Sequence, residues 1–244
     1  MKKTISIMVL LTLVSLAKSQ NRMDVKLVGN TNQIMKMYDL HANINPDTIK
    51  NKINLFGIGA AENLQGEMMI LDGKPYYAGL TQDRKPYLDN TFNKNLIFLV
   101  SMNVPKWRSQ KITKPISSKD ELIAYIFSQA AKNGIDTNSA FPFLIKGKVK
   151  TIKAHIAYLK DEHIHKFSPQ IKKQDDYPIL LENKEVTILG FASTDAGGLF
   201  AMPQMGNKAA SKMHIHFISK DKKYFGHIED LLFIKGLKLY FPKI

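Results

Sequence analysis

Short apolar runs separated by turn residues make up most of this chain, and one segment, Lys119–Lys132, has both the length and the period of a substantial helix. A chain of this kind has to bury strand faces against one another, which favours antiparallel sheet over alternating strand–helix–strand units. The helix carries its own boundaries. Ser118 and Glu121 form a capping box, Leu122, Ile123, Ile126, Phe127 and Ala130 line one face, and Asn133-Gly134 ends it. A shorter helix is expected over residues 33–40. Strands are expected over 55–60, 66–71, 75–78, 95–102, 185–191, 213–219 and 226–235. Asp72-Gly73 marks a tight hairpin. Two more strands, 141–146 and 148–158, are expected to meet at Gly147, and the charged stretch before residue 185 reads as loop. The expected fold is α+β, dominated by antiparallel sheet.

With 244 residues, 44% of them hydrophobic, there is enough chain for one or two domains with a real core. The absence of cysteine excludes disulfides, thiolate metal sites and a cysteine nucleophile. Residues 1–19 read as a signal peptide: Lys2 and Lys3, an apolar stretch over 5–16, then Ala17 and Ser19 before a cleavage point at Gln20. That stretch is short for a span of about 20 residues, and no other run is long enough, so the reading is an exported protein, periplasmic or secreted, with no membrane span. The formal charge of +14 falls to about +11 when Lys2, Lys3 and Lys18 leave. Lysines scattered along the chain supply it, with Arg22, Arg84 and Arg108 the only arginines, so a solvated surface is favoured over a nucleic-acid partner.

The residues best suited to chemistry lie in HIHFISKDKKYFGHI, residues 214–228. On a strand His214 and His216 share a face about 7 Å apart while Met213, Ile215 and Phe217 take the other. A reversal around Asp221-Lys222 sets His227 opposite His216, giving three imidazoles on one patch. Three nitrogen ligands with an open position are what a catalytic zinc uses. An ordinary packed or exposed histidine is the competing reading, and the spacing alone leaves the two evenly matched. A second pair, His163 and His165, precedes a proline in a charged stretch and reads as an exposed loop.

These segments resemble the α-acetolactate decarboxylase family. LFGIGAAENLQGEMMILDGKPYYA, residues 55–78, resembles the family's D-F-G-x-G-T-F-x-x-L-D-G-E-x-x-x-L-D-G-x-x-Y segment. VTILGF and the later HIHFISKDKKYFGHI resemble G-T-I-V-G-F and H-L-H-F-I-S-D-D-x-x-x-G-G-H-V, including the ten residues between the second and third histidines. The likeness extends over about residues 33–235. It implies zinc-dependent conversion of acetolactate to acetoin and carbon dioxide, with His214, His216 and His227 as ligands to Zn2+ and Glu67 as the active-site glutamate. It also implies a mixed-sheet N-terminal part over 20–140, a smaller antiparallel β-barrel over 141–244 with the zinc in the cleft between them, a small hydroxy-keto acid as substrate, and a homodimer.

The implied chemistry suits these residues. Loss of carbon dioxide from a β-keto acid leaves an electron pair that a metal-bound oxygen can stabilise, and a carboxyl group must then protonate carbon. Glu67 shares a face with Met69 and Leu71, an apolar setting that raises a carboxyl pKa. Three positions depart from the family pattern. Its threonine after F-G-x-G is Ala60, its substrate-binding arginine corresponds to His155 in VKTIKAH, and its C-terminal carboxylate has no counterpart in a sequence that stops seventeen residues after His227. Replacing an arginine's two-pronged, permanently charged grip by an imidazole costs about 2 to 4 kcal/mol if the contact acts in the transition state. Weakened decarboxylation is therefore expected. A ligand-binding protein that has kept the fold, and a zinc hydrolase using Glu67 as base, are the alternatives.

Overall fold

The computed structural model describes residues 21–232 and 236–243, and the expected signal segment over 1–19 lies outside them. Two sheets carry the fold. The first contains β1 (Lys26–Val28), β2 (Leu55–Ala61), β3 (Glu67–Leu71), β4 (Lys74–Leu80), β5 (Pro86–Asp89) and β6 (Leu96–Asn103), in the order β1-β6-β2-β3-β4-β5. The second contains β7 (Trp107–Lys111), β8 (Phe141–Lys148), β9 (Thr151–Ile156), β10 (Tyr177–Glu182), β11 (Glu185–Ala192), β12 (Met213–Ser219), β13 (Phe225–Leu232) and β14 (Lys238–Pro242). Its order is β10-β9-β13-β12-β11-β8-β14-β7. Helices are α1 (Thr31–Met35), α2 (Lys119–Lys132) and α3 (Pro169–Asp175).

Two expectations need correction. The first sheet is not mixed: each of its strand pairs is antiparallel, with β2 to β5 joined in sequence by short connections and β6 returning between β1 and β2. The second sheet is antiparallel as expected but is no barrel, since β10 and β7 lie at its opposite edges and do not pair.

The layers follow from side-chain alternation. One face of the second sheet packs under α2, whose Leu122, Ile126 and Ala130 meet Phe143, Ile145, Phe217 and Ile228. Its other face packs on the first sheet, joining Leu189, Phe191, Ile218 and Phe225 to Ile58, Met69, Ile97 and Phe98. The outer face of the first sheet has a smaller core of Leu55, Met68, Ile70, Tyr77 and Leu99. Each large apolar side chain fully buried in these layers contributes about 1.5 to 3 kcal/mol.

Local signals set several boundaries. The hairpin between β3 and β4 turns at Asp72 and Gly73, with φ +54° and +75°, the left-handed pair of a type I′ turn. Helix α2 has the expected bounds, and Ser118 caps it by accepting from the Glu121 amide. Gly147, expected to be the turn, instead lies within β8 opposite Val186, and the reversal falls at residues 149–150. The glycine suits its φ of +142°, which strains other residues, and a Cβ there would sit a tight 3.1 Å from Leu237 Cγ. The charged stretch is not simply loop. It holds a 3-10 helix over Asp161–Lys166, then α3 and the edge strand β10, with Ser168 capping α3 and Pro169 in its first turn.

Candidate metal centre

Strand β12 lies inside the second sheet, between β11 and β13. Alternation sends Met213, Ile215 and Phe217 under α2 and turns His214 and His216 toward the first sheet. His216 is the Cα partner of His227, as the expected reversal requires. Lys222, at φ +56°, and a 2.6 Å bond from Ser219 Oγ to Asp221 form that turn. One ligand atom from each of the three histidines falls within a group no more than 4.8 Å across.

The hydrogen bonds around these rings determine what the group can hold. His214 Nδ1 bonds the carbonyl of Phe200, and His216 Nδ1 lies 3.0 Å from the carbonyl of Met68 in β3. A carbonyl only accepts, so each Nδ1 carries a proton. Burial pushes the His214 pKa down to about 3 and those of His216 and His227 well below the usual imidazole value, so the rings are neutral. The Nε2 atoms of His214 and His216 therefore present lone pairs, and they face each other at 2.9 Å. His227 Nδ1 is 2.9 Å from His214 Nε2. Two buried acceptors at that distance repel unless a cation lies between them. The donor set thus fits a metal ion, and both carbonyls hold their rings in the tautomer that binding needs.

Glu67 stands beside this group. Its Oε2 is 3.3 Å from His216 Nε2, and its Oε1 accepts from the Ala157 amide at 3.3 Å. The carboxyl is 3% exposed, and burial is the main force pushing its pKa up to about 8; Lys172 opposes that rise and Asp176 adds to it. Burial therefore favours the protonated form of this carboxyl. Ala60, where the resemblance has threonine, is the Cα partner of Glu67 in the β2–β3 ladder.

His155 borders the centre from β9. It is the Cα partner of His227, with the two rings 5.1 Å apart. Its Nδ1 is 3.0 Å from Glu229 Oε1, and its Nε2 is 3.6 Å from Asp176 Oδ2 and 3.4 Å from Lys172 Nζ. His163 and His165 stay out of the group: His163 Nδ1 bonds buried Asp175 at 2.6 Å, and His165 is exposed. Reading the sequence missed Lys172, Asp176 and Glu229. Glu229 follows His227 by two residues on one strand, whereas Ser168-Pro169 marks the start of α3 without indicating that Lys172 and Asp176 reach the centre. The carbonyls of Phe200 and Met68 are backbone groups and leave no trace in the sequence. Among the described residues, no helix is long and apolar enough to cross a membrane.

Comparison with known proteins identifies the family and the fold. The family model described as alpha-acetolactate decarboxylase matches residues 36–244. The fold is similar to the crystal structure of alpha-acetolactate decarboxylase from Bacillus subtilis strain 168, with TM-score 0.69 and 19% identity over 90% of this chain and 86% of that one. It is also similar to a Staphylococcus aureus protein of unknown function described as similar to alpha-acetolactate decarboxylase, with TM-score 0.64 and 17% identity over 90% of this chain and 85% of that one. No curated protein matches the chain. With the family match spanning most of its length, the chain belongs to the alpha-acetolactate decarboxylase family and is a carboxy-lyase.

Proposed function

We propose that the protein decarboxylates 2-acetolactate, or a closely related 2-hydroxy-3-keto acid, to acetoin and carbon dioxide, with zinc held by His214, His216 and His227. The observation that carries this reading is the buried pair of facing imidazole lone pairs beside the buried carboxyl of Glu67. Neutral nitrogen donors suit zinc, whereas calcium and magnesium prefer oxygen. Bound zinc supplies a Lewis acid for the substrate's carbonyl and hydroxyl oxygens, the charge stabilisation that losing carbon dioxide demands.

The chain's own residues do the rest. His214 and His216 are buried and His227 is half-buried, so the centre opens on the His227 side while the sheets exclude water from its base. Glu67 holds the proton that must reach carbon once the carboxylate has left. The Ala157 amide fixes one carboxyl oxygen, leaving Oε2 turned toward the histidines. Delivery from one fixed direction sets the configuration of the product. His155, steadied by Glu229, lines the rim beside His227.

The test is acetoin and carbon dioxide release from acetolactate by zinc-loaded protein, by the same sample after chelation, and after zinc is returned. Activity that chelation removes and zinc restores is expected. No acetoin above the protein-free rate from fully loaded protein would overturn the proposal, and ester hydrolysis in its place would favour the hydrolase.

A further inference from the structure

The proposed substrate is an anion, and the side chains that converge on it are the imidazoles of His214, His216 and His227 and the carboxyl of Glu67. With zinc assigned to the carbonyl and hydroxyl oxygens, none of these side chains offers the substrate's carboxylate a cationic partner. Two half-buried lysines lie within electrostatic reach of the histidines, Lys119 and Lys172. Lys119 begins α2, which packs on the face of the second sheet that His214 and His216 turn away from, and its Nζ bond to the Ile228 carbonyl at 3.1 Å and its amide bond to Asp230 at 3.0 Å tie that helix to β13. Lys172 Nζ reaches His155 Nε2 at 3.4 Å, and the His155 ring lies 5.1 Å from that of His227, so this lysine stands at the rim of the centre.

Its setting is built rather than incidental. Ser168 caps α3, and the Lys172 amide bonds back to the Ser168 carbonyl at 2.9 Å, fixing the helical turn that presents the side chain. That side chain is 16% exposed, unusually low for a lysine. Its Nζ donates to Asp176 Oδ2 at 2.7 Å and reaches His155 Nε2 at 3.4 Å. An ammonium has three protons. Asp176 takes one and His155 faces a second, which leaves one donor for a ligand. Asp176 and Glu229, the acids nearest this cation and His155, orient the pair from two sides.

We propose that Lys172, delivered by α3, is the cation that receives the carboxylate of the substrate, with Asp176 and His155 as positioning residues. The inference rests on reading the centre as a hydroxy-keto acid site, and it predicts selectivity for a carboxylate whether or not turnover follows. The experiment is titration calorimetry of zinc-loaded protein with two inert ligands, 2,3-dihydroxy-2-methylbutanoate and the neutral 2-methylbutane-2,3-diol, which has a methyl in place of the carboxylate. Wild type should bind the acid at least about tenfold more tightly than the diol. Lys172→Met should weaken the acid by about 10- to 100-fold and leave diol affinity and zinc content unchanged. Lys172→Arg should recover most of the loss.

Equal weakening of both ligands would show a merely structural lysine and overturn the proposal, as would wild type binding the two alike. Loss of the preference in Lys119→Met instead of Lys172→Met would assign the role to the other lysine. If Lys172→Met does not fold, Lys172→Gln takes its place with the same expected outcome. Intact selectivity with no acetoin formed would refute the decarboxylase reading and leave the carboxylate site standing.

Discussion

Replacing Glu67 by glutamine removes a titrating group while keeping its shape, because the amide oxygen can still accept from the Ala157 amide. Burial holds the folded pKa at about 8 against an ordinary 4.5. A raised folded pKa contributes stability that is fully present below pH 4.5 and drains as pH climbs toward 8. The three histidines behave oppositely. Their lowered pKa values give stability that is present above 6.5 and lost as pH falls below it. Between pH 6.5 and 8, therefore, Glu67 alone among these four groups sheds a proton on unfolding. In metal-free protein, one such proton over that interval is worth about 2 kcal/mol.

Urea unfolding of metal-free protein at a series of pH values measures this directly. Wild type should lose about 2 kcal/mol from pH 6.5 to 8 relative to Glu67→Gln, whose curve should be flat by comparison. The zinc-loaded variant should also lose about 100- to 10 000-fold in acetoin formation, the range for removing a positioned proton donor. Parallel stability curves would show that Glu67 is ionised in the folded protein and would remove the argument for it as the acid.

Other expectations follow from the same account. Zinc should raise the melting temperature in proportion to the logarithm of its free concentration, because only the folded chain brings the three nitrogens together; a scan with and without chelator checks this. Ser118→Ala should cost about 1 kcal/mol, the usual worth of a helix cap, with no change in zinc content. Sequencing of protein recovered outside the cytoplasm should place its N-terminus at or near Gln20, whereas Met1 retained on cytoplasmic protein would refute the export reading.

Much of the centre could be read in the sequence because it depends on alternation and one turn. A strand repeats every two residues, so His-x-His on a run of apolar neighbours puts both rings on one face, and the 221–222 reversal sets His227 against His216. The capping box and Asn133-Gly134 did the same for the ends of α2. The edge strands were missed for a physical reason. β5 and β7 bury little, so Pro-Tyr-Leu-Asp and Trp-Arg-Ser-Gln-Lys carry no apolar pattern, and pairing with β4 and β14 decides their conformation. β10 lies in the charged stretch that reads as loop, and its edge position tolerates Pro178, which cannot donate to a ladder. Lys172 lay beyond reach because its importance comes from tertiary packing that carries a seven-residue helix to the rim of a distant site.

The central claim is that one metal sits on His214, His216 and His227. Elemental analysis of purified wild type and of five single alanine variants, at His214, His216, His227, His163 and His165, tests it most directly. One zinc per chain is predicted for wild type, His163→Ala and His165→Ala, with zinc largely lost from the other three. Equal zinc in all six proteins, or zinc lost only when His163 or His165 is replaced, would contradict it.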